Sequence, residues 1–290
     1  MMAVRLLAAA FSLLFPWVAQ AQGFNMSRGN NEEIQVYADE GIEWVSDATR
    51  VIARGNAKAV RGGVTVIADT LTAYYRDGQG GNEIWRLDAD GNVTIKTATE
   101  TATGHKATYD LEKAIFVLRG TPGRIVTATD EITAKETLEY WEKDRMAVAR
   151  GDAVAITKDR KVQADILTSH FKDGPKGELV MKRADGYGHV VLTTPKEVVT
   201  GDRSDYNLET GIATVAGSVK IVRDGNELNG GYAHVNMNTG ISKLFGAPPG
   251  GTGDTRVRGT FTPDKQDPEQ RRAVFKGAGA TGDKASGGKR

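Results

Sequence analysis

The ten residues Val66–Tyr75 read VIADTLTAYY, and the spacing of their apolar members decides the fold class. Val66 and Ala68 stand two apart. Leu71, Ala73 and Tyr75 continue at the same spacing on the opposite parity, so the phase slips across Asp69-Thr70. Side chains of a strand alternate with a period of two, and a slip requires a bulge or a corner in an otherwise extended chain. The slip recurs in Val162, Ala164, Leu167, Ser169, Phe171, in Val199, Gly201, Ser204, Tyr206, Leu208, and in Leu228, Gly230, Ala233, Val235, Met237. A looser copy is Ala102, Gly104, Ala107, Tyr109, Leu111. The small Ala or Gly at each slip permits the distortion and a close backbone approach.

Outward from that stretch, a glycine followed by a β-branched run recurs at Gly55, Gly91, Gly120, Gly151, Gly188 and Gly217. Taken in threes these positions repeat at 96, 97 and 97 residues. The identities agree: Ala53-Arg54-Gly55 with Ala149-Arg150-Gly151, Ala68-Asp69 with Ala164-Asp165, and Tyr109 with Tyr206. This is a duplicated unit of nearly a hundred residues, each built from about three shorter β modules. Repeated corners predict a strongly twisted antiparallel sandwich or incompletely closed barrel. A solenoid β-helix is the rival, and the irregular single spacings of 29 to 37 residues count against it. Glu136–Met146 alone is compatible with a helix as well as with a long strand and charged turn.

The two ends read differently from the body. Residues 1–21 have the form of a secretory signal: Arg5, the apolar stretch Leu6–Val18, and Ala19-Gln20-Ala21 as the cleavage site. The apolar stretch is shorter than the ~20 residues of a spanning helix. Cleavage there starts the mature chain near Gln22 and leaves residues 22–33 as a flexible lead-in. The body is expected over 34–245. From Gly246 to Arg290 the chain has 10 Gly, half of the prolines, and nine basic against five acidic residues. Such a segment buries too little apolar area to offset its ordering entropy, so 246–290 is expected to be mostly disordered.

Composition excludes several chemistries. The chain of 290 residues carries 38 basic and 37 acidic side chains and no cysteine. Near-zero net charge argues against nucleic acid. Without cysteine there is no disulfide framework, thiol nucleophile or Cys-ligated zinc. Neither a strand-linked G-x-G-x-x-G nor a G-x-x-x-x-G-K-[ST] is present. His105, His170, His189 and His234 lack metal-ligand spacing, and no metal or other cofactor is expected. The carboxylate pairs Asp88/Asp90 and Asp202/Asp205 lie in turn-like contexts rather than as a glycosidase dyad. Trp44, Tyr74-Tyr75 and Tyr140-Trp141 would suit sugar stacking, although strand aromatics more often face a core. No catalytic constellation emerges, and the chain is not expected to be an enzyme.

A signal segment followed by repeated modules, seen in Val66–Tyr75 and Val162–Phe171, alternates with the glycine turns Ala53–Ala57 and Ala149–Ala153. In this combination the chain resembles the OstA-like family of lipopolysaccharide-transport proteins, over about residues 34–245. The resemblance implies a twisted antiparallel β-jelly roll, open at both ends, which carries lipopolysaccharide across the periplasm with the acyl chains inside. It implies as partners an inner-membrane-anchored β-domain and an outer-membrane translocon, with a head-to-tail homo-oligomer as a further possibility. The glycine-rich tail lies outside the family pattern.

A buried methylene is worth about 0.8 kcal/mol, so a fourteen-carbon acyl chain represents on the order of 11 kcal/mol, and a carrier must offer a continuous apolar groove. Candidates for its inward face are Val66, Ala68, Leu71, Ala73, Tyr75, Ile156, Val162, Ala164, Leu167 and Phe171. Packing of the same residues against one another is the plainer reading of each alone. The rims of an open roll expose unpaired backbone groups that invite strand addition. The expected edges are Ile34, Gln35, Val36, Tyr37 and Ile241, Ser242, Lys243, Leu244, Phe245. Two other readings stay open: a secreted carbohydrate-binding or carbohydrate-active β protein, and the membrane-anchored β partner of the same transport system.

Overall fold

The computed structural model describes residues 20–21, 33–78, 81–158, 160–175, 178–236, 238–239, 241–251 and 256–262. Residues 1–19 of the expected signal segment, 22–32 of the lead-in and most of the tail therefore lie outside the described residues. Everything described is strand, turn or irregular chain, and Glu136–Met146 resolves into strand and turn.

One antiparallel sheet contains all the strands among the described residues. At one end β2 (Gln35–Tyr37) and β3 (Gly41–Val45) lie side by side along β4 (Arg50–Arg61). The short β1 (Gln20–Ala21) precedes them in the chain and pairs far away, with Leu179–Val180. From β4 the sheet meanders through β5 (Val64–Gly78), β6 (Gly81–Lys96) and β7 (Glu100–Asp110). Along β7 lie both β8 (Ile115–Arg119) and β9 (Gly123–Thr127). These in turn pair with β11 (Thr137–Trp141) and β10 (Glu131–Ala134), which share the next long strand, β12 (Met146–Thr157). The meander continues through β13 (Arg160–Asp173), β14 (Leu179–Thr193), β15 (Glu197–Asn207), β16 (Ile212–Arg223) and β17 (Asn226–Asn236). Along β17 lie β18 (Ile241–Phe245) and β19 (Arg258–Thr260).

The strand bounds carry the sequence offset residue for residue. β2, β3 and β4 begin 96 residues before β10, β11 and β12. Even the joint between the paired short strands is copied. Asp39 and Glu40 donate to the carbonyls of Gly55 and Arg54, as Lys135 and Glu136 do to those of Gly151 and Arg150.

The bends arise where the sequence slips phase. Between Ile67 and Thr70 of β5 the register against β6 shifts, because β6 holds an extra residue at Gly91-Asn92. Both residues have positive φ, +78° and +46°, a region that glycine enters freely and asparagine tolerates. A Cβ on Gly91 would collide with the Asp69 carboxylate, which also accepts from Asn92 Nδ2 at 2.9 Å. The second copy repeats this with Gly188-His189 against Asp165, whose carboxylate lies 2.9 Å from His189 Nδ1. There the hydrogen bond to Asp165, and then its charge, raise the His189 pKa above its ordinary value. Gly120 departs from the expected series. It occupies the turn between β8 and β9, beside the cis Thr121–Pro122 bond, and has no positive φ. The chain breaks there into two strands rather than bulging within one.

Because each long strand bends midway, its two halves face one another across the interior. The main apolar cluster combines Val66, Ile95 and Ala102 from one side of the bends with Tyr109, Phe116, Leu118 and Leu138 from the other. A smaller cluster around Val199, Val219, Ile221, Ala233 and Val235 fills the far end. The architecture is an all-β antiparallel roll whose first and last strands have no outer neighbour among the described residues.

Candidate functional site

The first copy encloses an apolar cavity of about 400 Å³. Val51, Ala53 and Ala59 of β4 form one wall, and Val64, Val66, Leu71, Ala73 and Tyr75 of β5 the next. Leu87, Ala89 and Ile95 of β6, Tyr109 of β7 and Phe116 of β8 close the far side. Ile34, Val36 and Trp44 belong to the same lining, so the cavity reaches the free edge of the sheet. Trp44 packs on Tyr75 with ring centres 5.4 Å apart, and its indole N–H donates to the Tyr75 hydroxyl at 2.7 Å. The polar members are few. Asp88 is held by Arg86 through two contacts of 2.8 and 2.9 Å, and Arg61 lies at the end of β4. A pocket of this size and lining takes an apolar or amphiphilic ligand rather than a charged one.

The expected groove residues divide. Val66, Leu71, Ala73 and Tyr75 line the cavity, and Ala68 is buried beside it in the core cluster. Leu167 and Phe171 join the same core, Phe171 opposite Met181, and Ala164 is buried. Val162 is half-buried opposite Ala155. Ile156 is a correction. Ala153 and Ala155 occupy the face equivalent to Ala57 and Ala59, so alternation turns Ile156 outward, 42% exposed, opposite Lys161 and Glu131. Ala147, Ala149 and Ala153 of β12 all belong to the core, so the inward face keeps one parity across the bulge at Gly151-Asp152 and Ile156 falls on the other face.

The copies differ in what fills them. Val64 of the first is replaced by Arg160 in the second, Leu87 by Ala184 and Phe116 by Ala213. Arg160 is buried, and its charge partly offsets the effect of burial, which pushes the Tyr206 hydroxyl pKa up.

Sequence reasoning missed a pair of buried acids. Glu100 and Glu197 open β7 and β15 after identical turns, their N–H groups donating to Thr97 Oγ1 and Thr194 Oγ1 at 3.2 and 3.1 Å. Burial pushes Glu100 up to about 7, and raises Glu197 as well, where Arg223 opposes the effect. A T-x-x-E repeat 97 residues apart was the signal available.

Among the described residues, both expected edges are free on one side. Gln35, Val36 and Tyr37 form β2, with Ile34 just ahead of it, and β2 and β3 pair only inward. Ile241, Ser242, Lys243, Leu244 and Phe245 make up β18, which pairs only with β17. Val222 and Ile156 aside, the large exposed hydrophobic side chains among the described residues gather at these two edges, with Trp44 at 62% the most exposed of the first. The tail is not structureless throughout, for Arg258–Thr260 forms β19 on β17. Its Thr262 donates to Asn226 Oδ1 and Gly225 O, both at 3.0 Å. Among the described residues, no three His, Asp or Glu side chains are grouped to hold a metal, and no helix is long and apolar enough to cross a membrane.

Comparison with known proteins bears on residues 35–140, which match the family described as LptA/(LptD N-terminal domain) LPS transport protein. An uncharacterised protein of Rhizobium meliloti (strain 1021) is 29% identical over 119 residues, which are 39% of this chain. The match spans 62% of that relative's length. Among solved structures, LptH of Pseudomonas aeruginosa, described as the LptA-homologous periplasmic component of the lipopolysaccharide transport device, aligns over 80% of this chain and 96% of its own. The identity is 11% and the TM-score 0.22.

Proposed function

We propose that the chain is a periplasmic carrier of lipopolysaccharide, of the LptA type within the OstA-like family, and that it acts without catalysing a reaction. The observation that carries this reading is the apolar cavity that runs from Tyr109 and Phe116 to the free edge at Ile34, Val36 and Trp44. An acyl chain lying there leaves water along its length, while the sugar portion stays outside. The match of residues 35–140 to a lipopolysaccharide-transport family covers the strands that wall the cavity.

The same edge is where the cavity would be prolonged. Antiparallel pairings alternate without interruption from β3 to β18 through an even number of strands. The last strand of one copy therefore runs antiparallel to the first strand of another placed after it. This supports head-to-tail assembly, and equally docking of a β-domain anchored in the inner membrane at one end and of an outer-membrane translocon at the other. The driving force for directional movement comes from those partners.

A photoreactive residue at Leu71 tests the reading. Labelled lipopolysaccharide should be captured on a denaturing gel, and Ala73→Trp, which fills the cavity, should abolish capture. Capture of soluble glycans instead would favour the carbohydrate-binding alternative. An intact N-terminal segment on the native protein, seen by mass spectrometry, would identify the membrane-anchored partner.

A further inference from the structure

We infer that the tail strand β19 is the second half of a two-piece docking edge, which seats on β2 and β3 of a second copy in the register of the chain's own internal junction. The inference rests on the head-to-tail reading above.

Midway along the chain, a strand broken in two, β8 and β9, meets another broken strand, β11 and β10. The free N-terminal edge is a copy of the second partner, since β2 and β3 match β10 and β11 at an offset of 96 residues. What seats on such an edge is thus shown within the same molecule: four residues of β8 paired with β11, then a turn, then a further strand against β10. The C-terminal edge has that form only because of the tail. β18 lies on the later half of β17, as β8 does on β7, and β19 lies on the earlier half, as β9 does. Without β19, Glu227–Asn229 of β17 would present a bare rim where the internal junction has a strand.

Transferring the internal register to the two ends makes specific pairs. Leu118 opposite Leu138 becomes Leu244 opposite Ile42. Val117 opposite Glu139 becomes Lys243 opposite Glu43, which adds an ion pair of opposite charges directly across the strands. Arg124, which bonds Glu131 across the internal junction at 2.8 Å, has its counterpart in Arg258 of the tail strand. Arg258 would lie opposite Tyr37, within reach of the adjacent Gln35.

The absence of cysteine from the chain makes the test clean. The double variant Tyr37→Cys/Arg258→Cys, in the full chain, should form a ladder of disulfide-linked multimers on mild oxidation, as should Glu43→Cys/Lys243→Cys. The two positions of each pair lie at opposite edges of the sheet, so each bond is intermolecular. Deleting residues 252–290 should weaken self-association about tenfold or more by sedimentation, while deleting 263–290 should leave it unchanged. If the Glu43/Lys243 pair links but Tyr37/Arg258 does not, and removal of β19 leaves association intact or strengthens it, β19 is a cap and this inference fails alone. If the full chain stays monomeric at all concentrations and neither pair links, the head-to-tail reading fails with it.

Discussion

Ile42 and Leu138 occupy the same position in the two copies, yet Ile42 is 53% exposed and Leu138 is 3% exposed beneath Leu118. The difference lies in the neighbour: β11 has β8 beside it, and β3 has no outer strand among the described residues. The same contrast holds one step on, where Trp44 stands open and Tyr140 is buried. An apolar edge maintained at the end of a sheet, where polar and charged residues usually blunt it, is a surface made to be covered.

Truncation at these two positions should therefore have opposite signatures. Leu138→Ala should cost about 2–5 kcal/mol of unfolding free energy, the range for deleting a large buried side chain. Ile42→Ala in dilute monomer should change it by no more than about 0.5 kcal/mol. Chemical denaturation of both variants checks the pair. Sedimentation of the Ile42 variant should show the self-association lost instead.

At the bends, Gly91→Ala faces a double penalty: a φ of +78° and a collision with the Asp69 carboxylate. We expect a loss of about 1–3 kcal/mol. Adding Asp69→Ala removes the collision but not the backbone strain, so the double variant should recover part of the loss and not all. Thermal melts of the two single variants and the double one measure this, and full recovery would place the strain in the contact alone.

Glu100 gives the stability a pH dependence of unusual sign for a carboxylate. Burial raises its folded pKa from 4.5 to about 7, so the folded state holds a proton that the unfolded chain releases. The group thus favours folding below about pH 4.5, and that contribution is lost as pH rises through about 7. Glu197 acts in the same direction. Glu100→Gln, which cannot ionise, should match the parent protein near pH 4.5 and exceed its stability at pH 8 by an amount on the order of 2–3 kcal/mol. Urea midpoints across that range provide the measurement. A midpoint difference independent of pH would show that the carboxylate is solvated in the folded protein.

Much of the fold was written in local spacing. The parity slip at Asp69-Thr70 marks a real corner, and Gly91 and Gly188 are real bulges, because alternation and left-handed φ are properties of a few adjacent residues. Ile156 shows the limit. Its apolar character suggested an inward face, but the core alanines Ala147, Ala149 and Ala153 hold the opposite parity, so alternation turns Ile156 outward. Gly120 shows another: the same glycine signal marks a broken strand when a turn follows it.

The amino-acid sequence by itself determined that the chain is all β, that it bends at regular points and that it is built twice over, since each of these follows from residue periodicity along the chain. Only the tertiary structure decided that the strands of the first copy enclose a cavity, that Glu100 and Glu197 are buried, and that a strand from the glycine-rich tail lies beside β17. The reason is physical. Periodicity specifies which face a side chain takes, whereas burial and free space depend on the strands that happen to lie next to it, and those come from distant parts of the chain.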